Sequence, residues 1–279
     1  MRFVKMHGLG NDFAVVDPVA EELAEDQYSQ LAERWCDRHF GVGADGLIFV
    51  LPSEVADYRM RIFNPDGSEA EMCGNGIRCF GKYVHDRSLS RQNPLRVETL
   101  AGIQSLTLNL RNGLVEAVKV DMGEPRLRGS QIPIVGDDSE NVVNWPLVVD
   151  GIEHRFTAVS MGNPHCVIFV EDVSRIPLAD VGAKVERHTL FPEKTNVHFV
   201  QVLSRSSIRM RVWERGAGVT LACGTGACAA LIAAVLNGKT DRRATVHLPG
   251  GALEIDWRED NHVAMTGPAT EVFDGATVG

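Results

Sequence analysis

The chain has 279 residues, 44% of them hydrophobic and 23% charged, and a formal net charge of -9. That length holds one large domain or two of ordinary size, and glycine and proline are spread along it rather than clustered, which excludes a fibrous or disordered protein. The negative charge without any long basic run argues against a nucleic-acid partner. With no window near the ~20 apolar residues of a membrane helix and no apolar leader in MRFVKMHGLGNDF, a cytoplasmic chain without a membrane partner is expected.

In chain order, GNDFAVV from residue 10 is a Gly-Asn step into an apolar run, and a helix is predicted over residues 21–38. RMRIFN from residue 59 alternates as a strand. CGNG at residues 73–76 opens a helix in which Ile77, Phe80 and Val84 fall on one face and Arg78, Lys82 and Asp86 on others. RVETLAG, QSLTLNL and LVEAVKVDM then read as strands up to the turn-rich MGEPRLRG, where residues 123–129 mark a boundary. Beyond it, HCVIFVED, NVHFVQVL, SIRMRVWE and ALEIDW are strands, and CGTG at residues 223–226 opens a second helix. Residues 227–236 of that helix carry no charge, so it should be buried on every side, with Asn237-Gly238 as its stop. A helix that is apolar all round in a strand-rich segment is best housed inside a curled sheet.

The order of these elements repeats. Cys73-Gly74-Asn75-Gly76 and Cys223-Gly224-Thr225-Gly226 lie 150 residues apart, and Gly10-Asn11 and Gly162-Asn163 precede them by nearly equal intervals, 62 and 60 residues from Asn to Cys. Shared order and spacing point to two similar halves in tandem.

Six cysteines are too few for a disulfide scaffold in a chain this long, and no C-x-x-C pair or histidine spacing suggests a zinc site, so no metal is expected. Cys36, Cys79, Cys166 and Cys228 read as small buried hydrophobes. Cys73 and Cys223 differ, because each stands at a strand-to-helix turn, where the first N–H groups of a helix can stabilise a thiolate or hold a carboxylate. Two similar halves facing each other across a pseudo-twofold axis would bring both thiols to one cleft. Inverting a stereocentre needs two such groups: a thiolate takes the α-hydrogen from one face and a thiol returns a proton to the other. The charge developing on the carboxylate would be met by donors at the helix starts, with Gly74, Asn75, Gly224 and Thr225.

KMHGLGNDF, FNPDGSEAEMCGNG, SMGNPH, FPEKTNV, ERGAGVTLACGTGACA and, near the end, PATEVFDG resemble the signature segments of the diaminopimelate epimerase family, in the family's order and over essentially the whole chain. The resemblance implies an α+β fold of two pseudo-symmetric, strand-rich halves, each a curled, barrel-like mixed sheet around a central helix, with the active site in the cleft between them. It implies that the last residues return to the first half, so that residues 1–124 and 268–279 carry Cys73 and residues 125–267 carry Cys223. It further implies a cofactor-independent isomerase that interconverts LL- and meso-diaminopimelate, in lysine and peptidoglycan precursor biosynthesis, with Cys73 and Cys223 as the acid–base pair. By motif, Asn11, Asn64, Asn163, Asn196, Glu214 and Arg215 would bind substrate, with Gly74-Asn75 and Gly224-Thr225 at the reacting end. Arg215 suits the distal carboxylate, Glu214 an ammonium group, and His165 and Glu214 would each support one thiol. Where some members have a glutamine, this chain has Gly46, which can offer no side-chain contact. Similar proteins allow a homodimer.

Three other readings compete. A proline or hydroxyproline racemase would use the same two cysteines on a smaller substrate. A thiol-redox switch would join them in a disulfide. A non-catalytic binding module would use the glycine-rich helix starts alone and leave the paired cysteines without a role.

Overall fold

Alternation in the sequence becomes alternation of burial: in the computed structural model, Leu95, Val97 and Thr99 of one strand are buried while Arg96 is exposed. The structure describes residues 1–19, 21–136 and 141–278, so residues 20, 137–140 and 279 of the two expected halves lie outside the described ones. The chain divides into two units, Met1–Asp121 with Thr266–Gly279, and Met122–Met265.

In the first unit β1 (Arg2–Gly8) pairs antiparallel with β2 (Asn11–Val16). The helix α1 (Tyr28–Cys36) crosses to β3 (Gly46–Leu51), which runs parallel to β2. Antiparallel pairing continues to β4 (Tyr58–Phe63) and the short β5 (Glu69–Ala70). The helix α2 (Gly74–Asp86) then crosses to β6 (Leu95–Thr99), parallel to β4, and β7 (Gly102–Arg111) and β8 (Leu114–Asp121) follow antiparallel. Each parallel pair is thus joined by a helical crossover, as parallel strands require.

The second unit begins with β9 (Trp145–Val149), antiparallel to β10 (Ile152–Ser160), and then repeats the first. β10 pairs antiparallel with β11 (Pro164–Phe169), α3 (Leu178–Glu186) crosses to the parallel β12 (Asn196–Ser204), and β13 (Ser207–Glu214) and β14 (Gly218–Thr220) return antiparallel. The helix α4 (Gly224–Leu236) crosses to β15 (Arg243–Leu248), parallel to β13 and antiparallel to β16 (Gly251–Trp257). The chain leaves this unit along β17 (Val263–Pro268), and β18 (Thr270–Ala276) pairs antiparallel with β1. Two similar strand-rich halves are therefore present, and the fold is α+β.

Each sheet curls around its second helix. α2 packs against β1, β2, β3, β4, β7 and β8, and α4 against β10, β11, β12, β13, β15 and β16. Residues Gly226 to Ala234 of α4 are all buried, and a side chain such as Leu231 or Ile232 contributes about 1.5–3 kcal/mol when taken wholly out of water. The other two helices lie on the outer faces. Tyr28 of α1 stacks on Phe49 at 3.9 Å, beside Phe63, and Gly182 of α3 lets the Trp213 side chain lie against the helix backbone.

One expectation needs correction, and two features go beyond the others. The first helix spans only Tyr28–Cys36 after a 3-10 turn at Glu25–Gln27, since Glu22 sits in the left-handed region at φ 53° and interrupts any longer helix. α3 was not expected, although Leu178, Val181 and Val185 of LADVGAKVE fall at helical spacing and pack inward; Pro177 before it offers no side-chain cap. Arg78, placed by its spacing on a face other than that of Ile77, Phe80 and Val84, is fully buried, because the curled sheet covers α2 on more than its apolar face. Among the described residues no helix is long and apolar enough to cross a membrane.

Candidate active site

Both cysteines end an extended strand segment and open a thirteen-residue helix. Cys73 has φ -133° and ψ 117° and Cys223 φ -136° and ψ 110°. In both cases the carbonyl of the cysteine accepts the first helical bond, from Ile77 N–H at 2.8 Å and Ala227 N–H at 2.9 Å.

In the first unit the half-buried Cys73 Sγ lies 3.8 Å from Asn11 Oδ1. The amide of Asn11 cannot turn around: its Nδ2 donates to Asp45 Oδ2 at 2.8 Å, and a carboxylate only accepts. Asn75 Nδ2 donates to the same Asn11 oxygen at 3.1 Å. Asn75 is oriented in turn by Arg78, whose Nη2 donates to Asn75 Oδ1 at 3.0 Å while Nη1 donates to Gly74 O at 2.8 Å and Nε to Pro268 O at 3.2 Å. A buried guanidinium thus locks the turn that carries Cys73. Behind it Arg38 bridges Asp12 and Asp45, each at 2.7 Å. Asn64 closes the turn after β4, donating from Nδ2 to Ser68 Oγ at 3.0 Å. Gly46 opens β3 with the Phe63 carbonyl and the Phe13 ring against its Cα, and a Cβ there would lie 3.0 Å from Phe63 O.

In the second unit Cys223 Sγ is itself the helix cap, accepting from Gly226 N–H at 3.4 Å, with Thr225 Oγ1 3.6 Å away. Asn163 Nδ2 donates to Thr225 Oγ1 at 3.4 Å, and Asn163 Oδ1 meets His165 Nε2 at 2.9 Å. His165 Nδ1 contacts His198 Nε2 at 2.8 Å. Glu214, the last residue of β13, accepts from Thr220 Oγ1 at 2.5 Å and is close enough to the Cys223 thiol to act on its charge. Asn196 Nδ2 donates to Pro164 O at 2.9 Å, and its Oδ1 accepts from Arg215 N–H at 3.0 Å. The Arg215 side chain is exposed and holds Glu193 O through Nη1 at 3.0 Å.

The electrostatics of Cys223 run against the simple helix-start expectation. Burial pushes its thiol well above the usual range, the Glu214 carboxylate adds to the rise, and the Thr225 hydroxyl and Gly226 N–H oppose it. Cys223 is therefore held in its protonated thiol form. Burial also holds Cys36 at about 11 and Cys79 at about 12 and pushes Cys166 higher, and Cys228 is buried as well, which suits all four to packing. The His165 ring is neutral, because burial and its His198 and Arg215 neighbours all disfavour the charged form. Among the described residues no three His, Cys, Asp or Glu side chains are grouped to hold a metal ion.

Around Cys223 the second unit thus gathers Asn163, Thr225 and Glu214, while His165 bonds to Asn163 and His198 rather than to Cys223. Around Cys73 the first unit gathers Asn11 and Asn75, and Asn64 stands at the neighbouring turn. Arg78, Asp45 and His198 were not singled out in the sequence. Arg78 stands five residues after Cys73 in the same motif, which was the one available signal; Asp45 and His198 had none.

A family model described as diaminopimelate epimerase matches residues 3–128 and 157–272. Proteins named diaminopimelate epimerase from Desulfitobacterium hafniense and Moorella thermoacetica are each 59% identical over 276 residues, covering 99% of this chain and 97% and 98% of theirs. One from Methanococcus maripaludis is 51% identical, covering 99% of both chains. Among solved structures, a phenazine biosynthesis protein of the PhzF family from Bacillus anthracis superposes with a TM-score of 0.74 at 20% identity over 100% of this chain and 99% of its own. A hydroxyproline epimerase from Agrobacterium vitis does so with 0.69 at 16% identity over 99% and 91%. At these identities the two structures speak for the fold alone.

Proposed function

The chain belongs to the diaminopimelate epimerase family, and we propose that Cys73 and Cys223 form the two-base pair with which it interconverts LL- and meso-diaminopimelate. It is an isomerase. One thiolate takes the α-hydrogen, so that a C–H bond breaks and an S–H bond forms; the other thiol protonates the opposite face, and its S–H bond breaks as the new C–H bond forms. No electron leaves the substrate, and neither sulfur bonds to carbon. In the direction that begins with Cys223 as acid, the protonated state favoured by burial and Glu214 is the one required. Negative charge building on the carboxylate is met by the N-terminal ends of α2 and α4, whose dipoles and N–H groups favour anions without rearranging.

The observation that carries this reading is the repeat itself: at topologically equivalent positions, a cysteine caps the helix that its own sheet wraps. A packing role or a lone phosphate-binding turn explains one such cysteine but not its twin. Asn11, Asn64, Asn163 and Asn196 supply paired donors and acceptors for the amino-acid groups, Glu214 a charge for an ammonium group, and the exposed Arg215 guanidinium a fork for the distal carboxylate. The reaction uses the two thiols and no pyridoxal phosphate, in the cytoplasm, in lysine and peptidoglycan precursor synthesis. A homodimer is compatible with it, and sedimentation of the purified chain tests that point.

Incubation of the chain in deuterium oxide with LL-diaminopimelate, and separately with L-proline, tests the assignment. Deuterium should enter the α-position of diaminopimelate as the isomers interconvert. Faster exchange into proline would transfer the chain to the racemase reading, and no exchange into either would favour a binding or redox role.

A further inference from the structure

His165 and His198 are fully buried, on the neighbouring parallel strands β11 and β12, and they meet through a single hydrogen bond from ring to ring. One ring must donate and the other accept, and a second fact decides which. His198 Nδ1 is buried without a hydrogen-bond partner among the described residues, and the ring lies so close to Gly226 that a methyl group there would run into it. A buried N–H without an acceptor is disfavoured more than an unpaired lone pair. The proton of His198 therefore sits on Nε2 and is donated to His165 Nδ1.

The remaining directions follow by elimination. With Nδ1 accepting, the neutral His165 carries its proton on Nε2 and donates it to Asn163 Oδ1 at 2.9 Å. That turns the Asn163 amide so that Nδ2 donates to Thr225 Oγ1, and the Thr225 hydroxyl proton is left to point at Cys223 Sγ. Were the His198 proton on Nδ1, every step would reverse: the Asn163 amide would flip, and Thr225 would donate to Asn163 instead of to sulfur. All five residues belong to the second unit.

We propose that His198 is a positioning residue for the reaction: by holding His165 as the Nε2–H tautomer, it directs the Thr225 hydroxyl onto the Cys223 sulfur and stabilises the thiolate at each turnover. The proposal rests on Cys223 being one of the two bases. Beside Gly76 in the first unit stand Ile48, at the strand position that His198 holds in the second, and Ile62, so the device serves Cys223 alone.

Nitrogen-15 spectra of the histidine rings in the full-length chain test the proposal directly. Both His165 and His198 should show a protonated Nε2 and a bare Nδ1. A protonated His198 Nδ1 overturns the proposal, and this readout needs no variant to fold and no activity to be present. In His198→Leu, His165 should populate both tautomers and kcat/KM should fall about tenfold, the value of one hydrogen bond to a charged group. His198→Gln, whose amide can again donate to His165, should recover to within about threefold of the parent if a donor is what matters. Full activity in His198→Leu, or equal losses in the Leu and Gln variants, would reduce His198 to packing. Should Cys223→Ser remain active, the two-base reading fails while the tautomer result stands by itself.

Discussion

The starts of α2 and α4 share a backbone but not a chemistry. Below Cys73 the turn is fastened by a buried cation on its own helix, Arg78, with Asp45 holding the Asn11 amide from just before the neighbouring strand β3. Below Cys223 the matching helix position is Cys228, in an apolar core, and the fastening comes from the sheet through His198, His165 and Asn163. The polar load has thus moved from helix to strand: Phe13 and Ile48 occupy in the first unit the places of His165 and His198 in the second. The outcome for the sulfur also differs. Asn11 offers Cys73 a fixed acceptor, suited to a thiol, while Cys223 has a hydroxyl and an N–H on one side and a carboxylate on the other. Duplicated topology preserves where a reactive group stands, and leaves free how its protonation is controlled.

The most severe way to break this comparison is to remove either sulfur. Cys73→Ser and Cys223→Ser should each lower kcat by about one hundred to ten thousandfold, the range of a well-positioned acid or base, in a coupled epimerisation assay. A near-normal rate in one of them would remove that cysteine from the pair. Next in size is the fastening of the turns. Arg78→Met leaves Gly74 O, Asn75 Oδ1 and Pro268 O without this charged donor and should cost about 2–3 kcal/mol in denaturant unfolding. Cys228→Ala, at the matching helix position, should cost about 1 kcal/mol, so equal losses would show that the two helix starts are not fastened differently.

The glycines three residues after the two cysteines give a finer test. A Cβ at Gly226 would press on the His198 ring and lie 3.0 Å from Cys223 Sγ, so Gly226→Ala should lose about 1–3 kcal/mol by overpacking. At Gly76 the nearest atoms are the δ-methyl groups of Ile62 and Ile48 at 3.1 and 3.2 Å, which can shift. There the gain of about 1 kcal/mol in helix propensity should offset the crowding, and thermal unfolding of the pair measures the contrast. The smallest effect concerns protonation. Removing the Glu214 charge takes away one of the causes that raise the Cys223 thiol, so in Glu214→Gln the thiolate should form at lower pH; Thr225→Val removes an opposing group and should move it higher. The pH dependence of Cys223 alkylation in a Cys73→Ser background reads both, and a shift of the opposite sign in either variant contradicts the assigned environment.

Much of the site was legible because its signals are local. A cysteine followed by two glycines between a strand pattern and a helix pattern describes a turn whatever surrounds it, and Cys73 and Cys223 do occupy such turns. The recurrence of Gly-Asn ahead of each motif likewise pointed to Asn11 and Asn163, whose side chains bond to Asn75 and Thr225 respectively. The uncharged stretch of residues 227–236 gave away the buried helix. The burial of Arg78 was not legible, because helical spacing reports only which residues share a face, and the sheet curls over more of α2 than its apolar stripe. His198 stood unremarked in NVHFVQVL, since strand alternation alone does not say whether the face opposite Val197 and Phe199 meets water or a helix. Here it meets α4.

The order of amino acids by itself determined the two cysteine turns, the repeat that pairs them and the apolar helix beneath one of them, because turn chemistry and periodicity act within a few residues. Only the tertiary structure decided that Cys223 is a thiol, that Arg78 is buried and that a histidine pair reaches toward one sulfur. Protonation and hydrogen-bond direction depend on burial and on groups brought from distant parts of the chain, Glu214, His165 and Asp45 among them, and no local pattern encodes those distances.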